Sequence, residues 1–267
     1  MSTLGRMLEQ YVKEIKSHRD WLQSFDDVYT TQWEKLLKRN PEAAICEAAT
    51  RQLLQKHGLE VEPNEDPSVG GPDYLCRRGD NQFYVEVTCI SKNAATKATG
   101  LIDDPLRASW DYEDMTKKIF GEICSKTPQC SNLDAPCIIA IGTLHSVAGC
   151  CCFDKLAAGE LLTGTSFITA TINTETRELT RQPYEATNLE SAAFVRPTKT
   201  LTGSIEYARN PISAVLLCAF GCDPSKAVGA LHPNPNHYFD RTLLPSIEFG
   251  RLSEGCLQTG QFKVEWV

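Results

Sequence analysis

Apolar residues change their period twice along this chain. From Leu4 to Leu22, and again through Trp33 to Arg39, the spacing predicts amphipathic helices, the second stopping before Asn40 and Pro41. Pro41 is well placed to open another helix, because its missing N–H costs nothing in a first turn. Ala44, Ile45, Ala48 and Leu54 carry the apolar stripe of that helix, and Gly58 ends it. Beyond Gly58 the period falls to that of strands. Leu59–Glu62 and Asp73–Cys76 predict short strands, GGPD at Gly70–Asp73 a turn, RRGDN at Arg77–Asn81 a hairpin loop, and Gln82–Ile90 a third strand. In this third strand Phe83, Val85, Val87 and Cys89 alternate with Tyr84, Glu86, Thr88 and Ile90. One face is therefore apolar, and the other bears a carboxylate beside a hydroxyl.

A polar loop is expected over Ser91–Ser109, then a helix over Asp111–Lys126, then an apolar run at Pro136–Leu144 suited to a central strand. Farther on lie a short helix near Phe153–Leu162, a strand at Ser166–Asn173, a polar connector to about Arg209 and a buried strand at Ile212–Phe220. The Pro-rich tail is expected to cover the sheet as loops. The pattern as a whole predicts an α/β fold, a mixed sheet flanked by helices. Residues 1–40 form a helical extension and residues 41–267 one α/β domain with extra C-terminal strands and loops.

Composition narrows the function classes. With 267 residues, 42% hydrophobic and 23% charged, the chain can build a sizeable core. A formal net charge of -7 provides no global positive field, so nucleic acid would have to be held by a local basic patch, for which Arg77 and Arg78 are the nearest pair. Met1–Lys13 lacks a basic region followed by an apolar run, and the uncharged stretch Ala135–Phe153 is broken by Pro136, Gly142 and Gly149. Neither a secretory signal nor a membrane span is expected, and the location expected is cytoplasmic. The 12 cysteines are then expected to remain mostly buried thiols, with no CxxC pair to suggest zinc. His232 and His237, in LHPNPNHYF, are a weaker metal pair in an irregular loop.

The chemistry lies in a constellation. Asp73 opens one strand and Glu86 lies mid-way along the next, so a hairpin brings two carboxylates together, while Glu47 on the preceding helix offers a third. Hard divalent cations such as Mg²⁺ take oxygen ligands of this kind, completed by a backbone carbonyl and waters. Taken singly, Glu47 and Asp73 read as surface charges and Glu86 as a solvated strand residue.

Together, Glu47 followed by AATRQLLQKHG, GGPD at Gly70–Asp73 and FYVEVT at Phe83–Thr88 resemble the core of the PD-(D/E)xK nuclease superfamily, including its restriction-endonuclease-like and Holliday-junction-resolvase-like branches. The resemblance covers about residues 41–145. It implies a metal-dependent nuclease that hydrolyses phosphodiester bonds of DNA or RNA, DNA in the first place, with Mg²⁺ or Mn²⁺ as cofactor. It also implies Asp73 and Glu86 as metal ligands, the Val87 carbonyl as a further ligand and Glu47 as an auxiliary one.

Thr88 departs from the family, which usually has a lysine there to orient the attacking water and stabilise charge on the phosphate. A hydroxyl can hydrogen-bond but carries no charge. On the following helix Lys126 shares the phase of Met115, Ile119 and Ile123, and is the first candidate to replace that lysine. Lys117, on an earlier turn, is the second; Lys118 points away, and Lys92 lies about 20 Å along the strand from Glu86. The alternative function is a catalytically inactive nuclease-fold protein acting as a nucleic-acid-binding or scaffold module. A cysteine-based enzyme, suggested only by the cysteine count, is the weakest reading.

Overall fold

The computed structural model describes residues 3–66, 70–101, 103, 112–169, 176–177, 184–198, 204–253 and 262–267. It opens with α1 (Thr3–Gln10), α2 (Val12–Leu22) and α3 (Asp27–Arg39), followed by α4 (Pro41–Lys56). The one helix expected over Leu4–Leu22 is thus two, parted at Tyr11. Asn40 separates α3 from α4 and caps the latter, its side chain accepting from the Ala43 N–H, with Pro41 in the first turn. Gly58 follows in the left-handed region, φ 76°, where a residue without Cβ is unstrained.

The strands β1 (Glu60–Pro63), β2 (Tyr74–Arg78) and β3 (Asn81–Cys89) form an antiparallel meander. After α5 (Lys92–Thr99) and α6 (Tyr112–Lys126), β4 (Cys137–Thr143) adds parallel to β3. Next come α7 (Ser146–Cys152), α8 (Lys155–Thr163) and two small hairpins, β5 (Thr165–Thr169) with β6 (Tyr184–Asn188) and β7 (Val195–Pro197) with β8 (Ile205–Tyr207). The chain re-enters the main sheet as β9 (Ala214–Ala219), parallel to β4, and finishes with β10 (Lys226–Leu231), β11 (Glu248–Leu252) and β12 (Val264–Trp266). Among the described residues, eight strands make one mixed sheet in the order β1-β2-β3-β4-β9-β10-β11-β12.

Each face of the sheet carries its own core. On one side Ile45 and Leu54 of α4, with Ile15 and Leu22 of α2 and Trp33 of α3, pack against Phe83, Val85, Ile138 and Leu216. On the other, Ile119 and Ile123 of α6 and Leu161 of α8 cover Ile139, Ile141 and Leu217. Every residue of β4 is buried, as befits a strand covered on both faces and flanked by parallel neighbours. The N-terminal helices share the core of the sheet. Arg51 of α4 holds α2 through Nε to His18 Nδ1 (3.2 Å) and a second nitrogen to Ser17 (2.9 Å), and its guanidinium lies over the Trp21 ring.

Several sequence expectations need correction. The loop over Ser91–Ser109 contains α5, whose N-terminus is capped by Ser91. The helix near Phe153–Leu162 is α7 and α8, broken at Phe153 and Asp154. The strand at Ser166–Asn173 begins one residue earlier as β5, and its expected residues 170–173 lie outside the described residues. The connector before Arg209 includes β6, β7 and β8. The tail is not merely loops, since β10, β11 and β12 complete the sheet. Cys150 and Cys222 form a disulfide, so they do not remain thiols; nine other described cysteines are free.

Candidate active site

The antiparallel pairing of β2 and β3 runs from Arg78 opposite Asn81 to Tyr74 opposite Val85, and there β2 begins. Asp73, one residue before β2, turns its carboxylate onto the next free group of β3: Oδ2 accepts the Val87 N–H at 2.6 Å. A strand residue directs its N–H and C=O to the same edge, so the Val87 carbonyl also leaves β3 on the side where β2 has ended. This is the edge on which the resemblance needs a backbone ligand.

Glu86 precedes Val87 and therefore points to the opposite face, toward α6. It is only 2% exposed. Lys126, in the last turn of α6, reaches it, with Nζ donating to Oε1 at 2.5 Å. Its second oxygen, Oε2, is buried and has no hydrogen-bond partner among the described residues. Thr88, two residues on and on the same face, donates to Glu122 Oε2 at 2.9 Å, and Lys118 pairs with the other oxygen of Glu122 at 2.9 Å.

The two contacts fix how α6 lies on β3. Passing from Glu86 to Thr88 advances about 6.6 Å along a strand. Passing back from Lys126 to Glu122 retreats about 6 Å along a helix. The helix thus runs antiparallel to the strand at matching height. Lys117 lies about 13 Å before Lys126 on that scale, level with the end of β3 and away from Glu86. It is exposed and pairs with Asp114 within α6 at 3.4 Å, so of the two helix lysines only Lys126 joins the carboxylates. Lys92 pairs with Asp103 at 2.8 Å, on the segment beyond β3.

Glu47, Asp73, Glu86, Val87, Thr88 and Lys126 all line one cleft of ≈ 740 Å³. Glu47 comes from the α4 layer, Glu86 from the α6 face of the sheet, and Asp73 stands between them where the meander leaves a gap. Burial pushes the Glu86 carboxyl up to about 7 against the pull of Lys126. Burial also drives Asp73 well above the usual carboxylate range, reinforced by the charge of Glu86. Glu47 is raised by burial and then by Asp73 and Glu65. For Lys126, burial disfavours the ammonium, but Glu86, Asp73 and Glu65 outweigh it and hold its pKa above the ordinary value. The floor of the cleft therefore concentrates more acid than its one ammonium balances.

No family model, curated protein or solved structure matches this chain. The chemistry of the cleft accordingly rests on its own residues.

Among the described residues, no three His, Cys, Asp or Glu side chains already converge as a closed ligand set. The donors nevertheless suit a hard divalent cation: they are oxygens, one of them is the orphaned Glu86 Oε2, and their crowding calls for added positive charge. The proposed basic patch does not belong to the cleft. Arg77 pairs with Glu62 at 2.5 Å, and Arg78 donates to the backbone carbonyls of His57 and Thr242. Both sit at the hairpin end of β2, about 13 Å (Arg77) and about 17 Å (Arg78) along the strand from Asp73. His232 and His237 are engaged separately, with the carbonyls of Ala208 (2.8 Å) and Leu133 (3.1 Å), and do not form a pair.

Sequence reasoning missed Glu65, Glu122 and Gln129, which also line the cleft. Glu122 had a signal, the i, i+4 ladder Lys118, Glu122, Lys126 on one helix face. Glu65 follows β1 in a stretch with no periodicity to place it.

Proposed function

We propose that this chain is a divalent-metal-dependent nuclease with a restriction-endonuclease-like core, in which the lysine of the strand motif has moved to a helix. The observation that carries the reading is the placement of Lys126 on Glu86, beside Asp73 and on the face of β3 where the family motif would put its lysine, two residues along the strand at Thr88. The order α4, β1 to β3, α5 and α6, β4 supports it, as does the free edge of β3 at Val87.

When bound, Mg²⁺ or Mn²⁺ supplies charge that polarises a phosphodiester for in-line attack by water. Asp73, Glu86 and the Val87 carbonyl would hold the ion, with Glu47 as an outer carboxylate. Lys126 sits where its charge can orient the attacking water and offset negative charge gathering on the phosphate. Its contact with Glu86 keeps it protonated and fixes its height. Thr88, tied to Glu122, takes no part in proton transfer and holds α6 against β3.

The test is cleavage of single-stranded, duplex and branched DNA and of RNA with Mg²⁺ and with Mn²⁺. Metal-dependent cleavage that disappears in Glu86→Ala, with the fold retained, supports the reading. Absence of cleavage on all four substrates would replace it with the inactive nuclease-fold module. Among the described residues no helix is long and apolar enough to cross a membrane.

A further inference from the structure

The cleft has a second wall that the metal chemistry does not use. It is built by α3, from the N-terminal extension, which contributes Tyr29, Gln32, Trp33, Lys35, Leu36 and Arg39 to the lining. At 100° per residue, Gln32, Lys35 and Arg39 fall within about 60° of one another on one flank of that helix. Trp33 lies on the other flank and anchors the helix, buried, with its indole N–H on the Ala44 carbonyl at 3.2 Å. Lys35 and Arg39 are exposed and one helical turn apart, about 6 Å along the axis.

Three acids on or beside this helix are turned to other partners. Glu34 is paired with Arg19 at 2.5 Å, Glu42 accepts the Lys92 N–H at 2.6 Å, and Asp26 caps its own helix through the Val28 N–H. Among the described residues no carboxylate pairs with Lys35 or Arg39. In a chain of net charge -7, two cations one turn apart at the rim of an acidic cleft make a local positive edge. A ligand spanning rim and floor must itself be a polyanion that meets cations at the rim and a metal at the floor.

We infer that α3 is the docking wall for one nucleic-acid strand, with Lys35 and Arg39 taking successive phosphates beside the one to be cleaved and Tyr29 stacking a base. This inference rests on the nuclease reading of the floor. The size of the cleft selects a single strand. At ≈ 740 Å³ it is comparable to a drug-sized pocket of about 300–1,000 Å³. A cleft of that size admits a short stretch of one strand. Glu86 lies at its foot, 2% exposed, so the phosphate has to be carried down by an unpaired strand or end. Tyr29, half-buried on the same wall, offers a face on which any base can stack.

The experiment measures binding of a labelled single-stranded DNA, the RNA of the same sequence and the DNA duplex in EDTA, over a range of salt. The proteins compared are wild type, Lys35→Glu/Arg39→Glu, the alanine pair at the same positions, the charge-keeping Lys35→Arg/Arg39→Lys, and Lys13→Glu/Lys16→Glu. The last reverses the same number of charges on exposed residues outside the cleft lining. The expected result is tighter binding of a single strand than of duplex and at least a tenfold loss in the charge reversal. The salt slope should fall by about 1.4 in the alanine pair, as for two single-strand phosphates. The charge-keeping pair and the Lys13 and Lys16 control should bind as wild type, and thermal melts should show all variants folded.

Equal losses in the control, preference for duplex, or no binding by wild type to any of the three would overturn the docking wall. The two readings separate cleanly. Strand binding through Lys35 and Arg39 without cleavage in Mg²⁺ or Mn²⁺ removes the nuclease reading alone. Cleavage with unchanged KM in the charge reversal removes the docking wall alone.

Discussion

Lys126 Nζ and Glu86 Oε1 meet at 2.5 Å although the residues are 40 positions apart. This contact joins the end of a helix to the middle of a buried strand. It makes Lys126 the positive charge on which the cleft depends, and the hydrogen-bonding partner of Glu86 when that carboxyl ionises.

On the nuclease reading, replacing this lysine should act on turnover before it acts on metal. Lys126→Ala is expected to lower the single-turnover cleavage rate on the order of a hundredfold or more while leaving Mn²⁺ affinity nearly intact. Lys117→Ala should keep the wild-type rate. Thr88 faces the same side of β3 as Glu86, so Thr88→Lys in the Lys126→Ala background should restore part of the loss. Wild-type rates in Lys126→Ala at saturating metal would remove the relocated lysine from the mechanism.

The carboxylates should make stability depend on pH in an unusual direction. Glu86 has its folded pKa raised from 4.5 to about 7, so the native state holds its proton more tightly than the unfolded chain. Its stabilisation is full below the unfolded value and is lost as pH rises through about 7. Each pKa unit is worth about 1.4 kcal/mol, so Glu86 can carry on the order of 3 kcal/mol across this window. Asp73 and Glu47 act in the same sense. His18, lowered by burial to about 3, and His232, lowered to about 4, act oppositely and lose their stabilisation as pH falls below the ordinary histidine range. The decisive quantity is thus the difference between wild type and Glu86→Gln in chemical denaturation. Wild type should lose stability relative to the variant between about pH 4.5 and pH 7. Saturating Mn²⁺ should diminish that loss. Parallel stability curves for the two proteins would contradict the raised Glu86 pKa.

Asp73 combines two roles that different substitutions can divide. Asp73→Asn keeps an oxygen for the Val87 N–H but removes the charge, so it should melt near wild type while calorimetric titration with Mn²⁺ shows the binding heat lost. Asp73→Ala should lose the same heat and about 1–3 kcal/mol of stability besides, because the Val87 N–H loses its acceptor. If Asp73→Asn binds Mn²⁺ as wild type does, Asp73 is only a structural cap for β3.

Arg51 fastens the docking wall to the sheet indirectly, through α2. Arg51→Met should cost about 2–3 kcal/mol in urea unfolding, since it removes charged hydrogen bonds to Ser17, to Gln55 and to His18 from a buried guanidinium. In a substrate titration the same variant should raise KM more than it lowers kcat. An unchanged unfolding midpoint would mean that apolar packing of Ile15, Leu22 and Trp33 alone holds the N-terminal helices.

The pattern of the chain exposed the segments that have room for periodicity. The helix after Pro41, the meander to Ile90, the helix ending at Lys126 and the two central strands were all legible because their apolar residues repeat over many positions. Lys126 is legible from its phase with Ile119 and Ile123, whereas Lys117, on an earlier turn, lies level with the end of β3, beyond the mid-strand Glu86. The segment KNAATKAT reads as loop because it carries small and polar residues, and its cap, Ser91, is a local signal. Strands β10 to β12 are short, and Gly229 and Gly250 interrupt their apolar pattern. At Gly229 a Cβ would come within 2.3 Å of the Phe249 ring, so the glycine that obscures β10 is what lets β11 pack beside it. Glu86 looked solvated because alternation reveals a face but not what covers it. The basic flank of α3 was hidden for the same reason: no spacing within residues 1–40 shows that this helix borders a cleft whose floor lies beyond Pro41.

The Val87 amide turns the cleft into its own reporter. Most strand amides give their proton to a neighbouring carbonyl, but this one is donated to the Asp73 carboxylate, a group whose charge changes with pH and would change again with a cation. Its nitrogen and proton resonances should therefore move with the titration of the acidic floor, while the amides of β4, buried between parallel neighbours, remain still and slow to exchange with deuterium. A single isotope-labelled valine could register a proton or a metal arriving at the site without any substrate being cleaved.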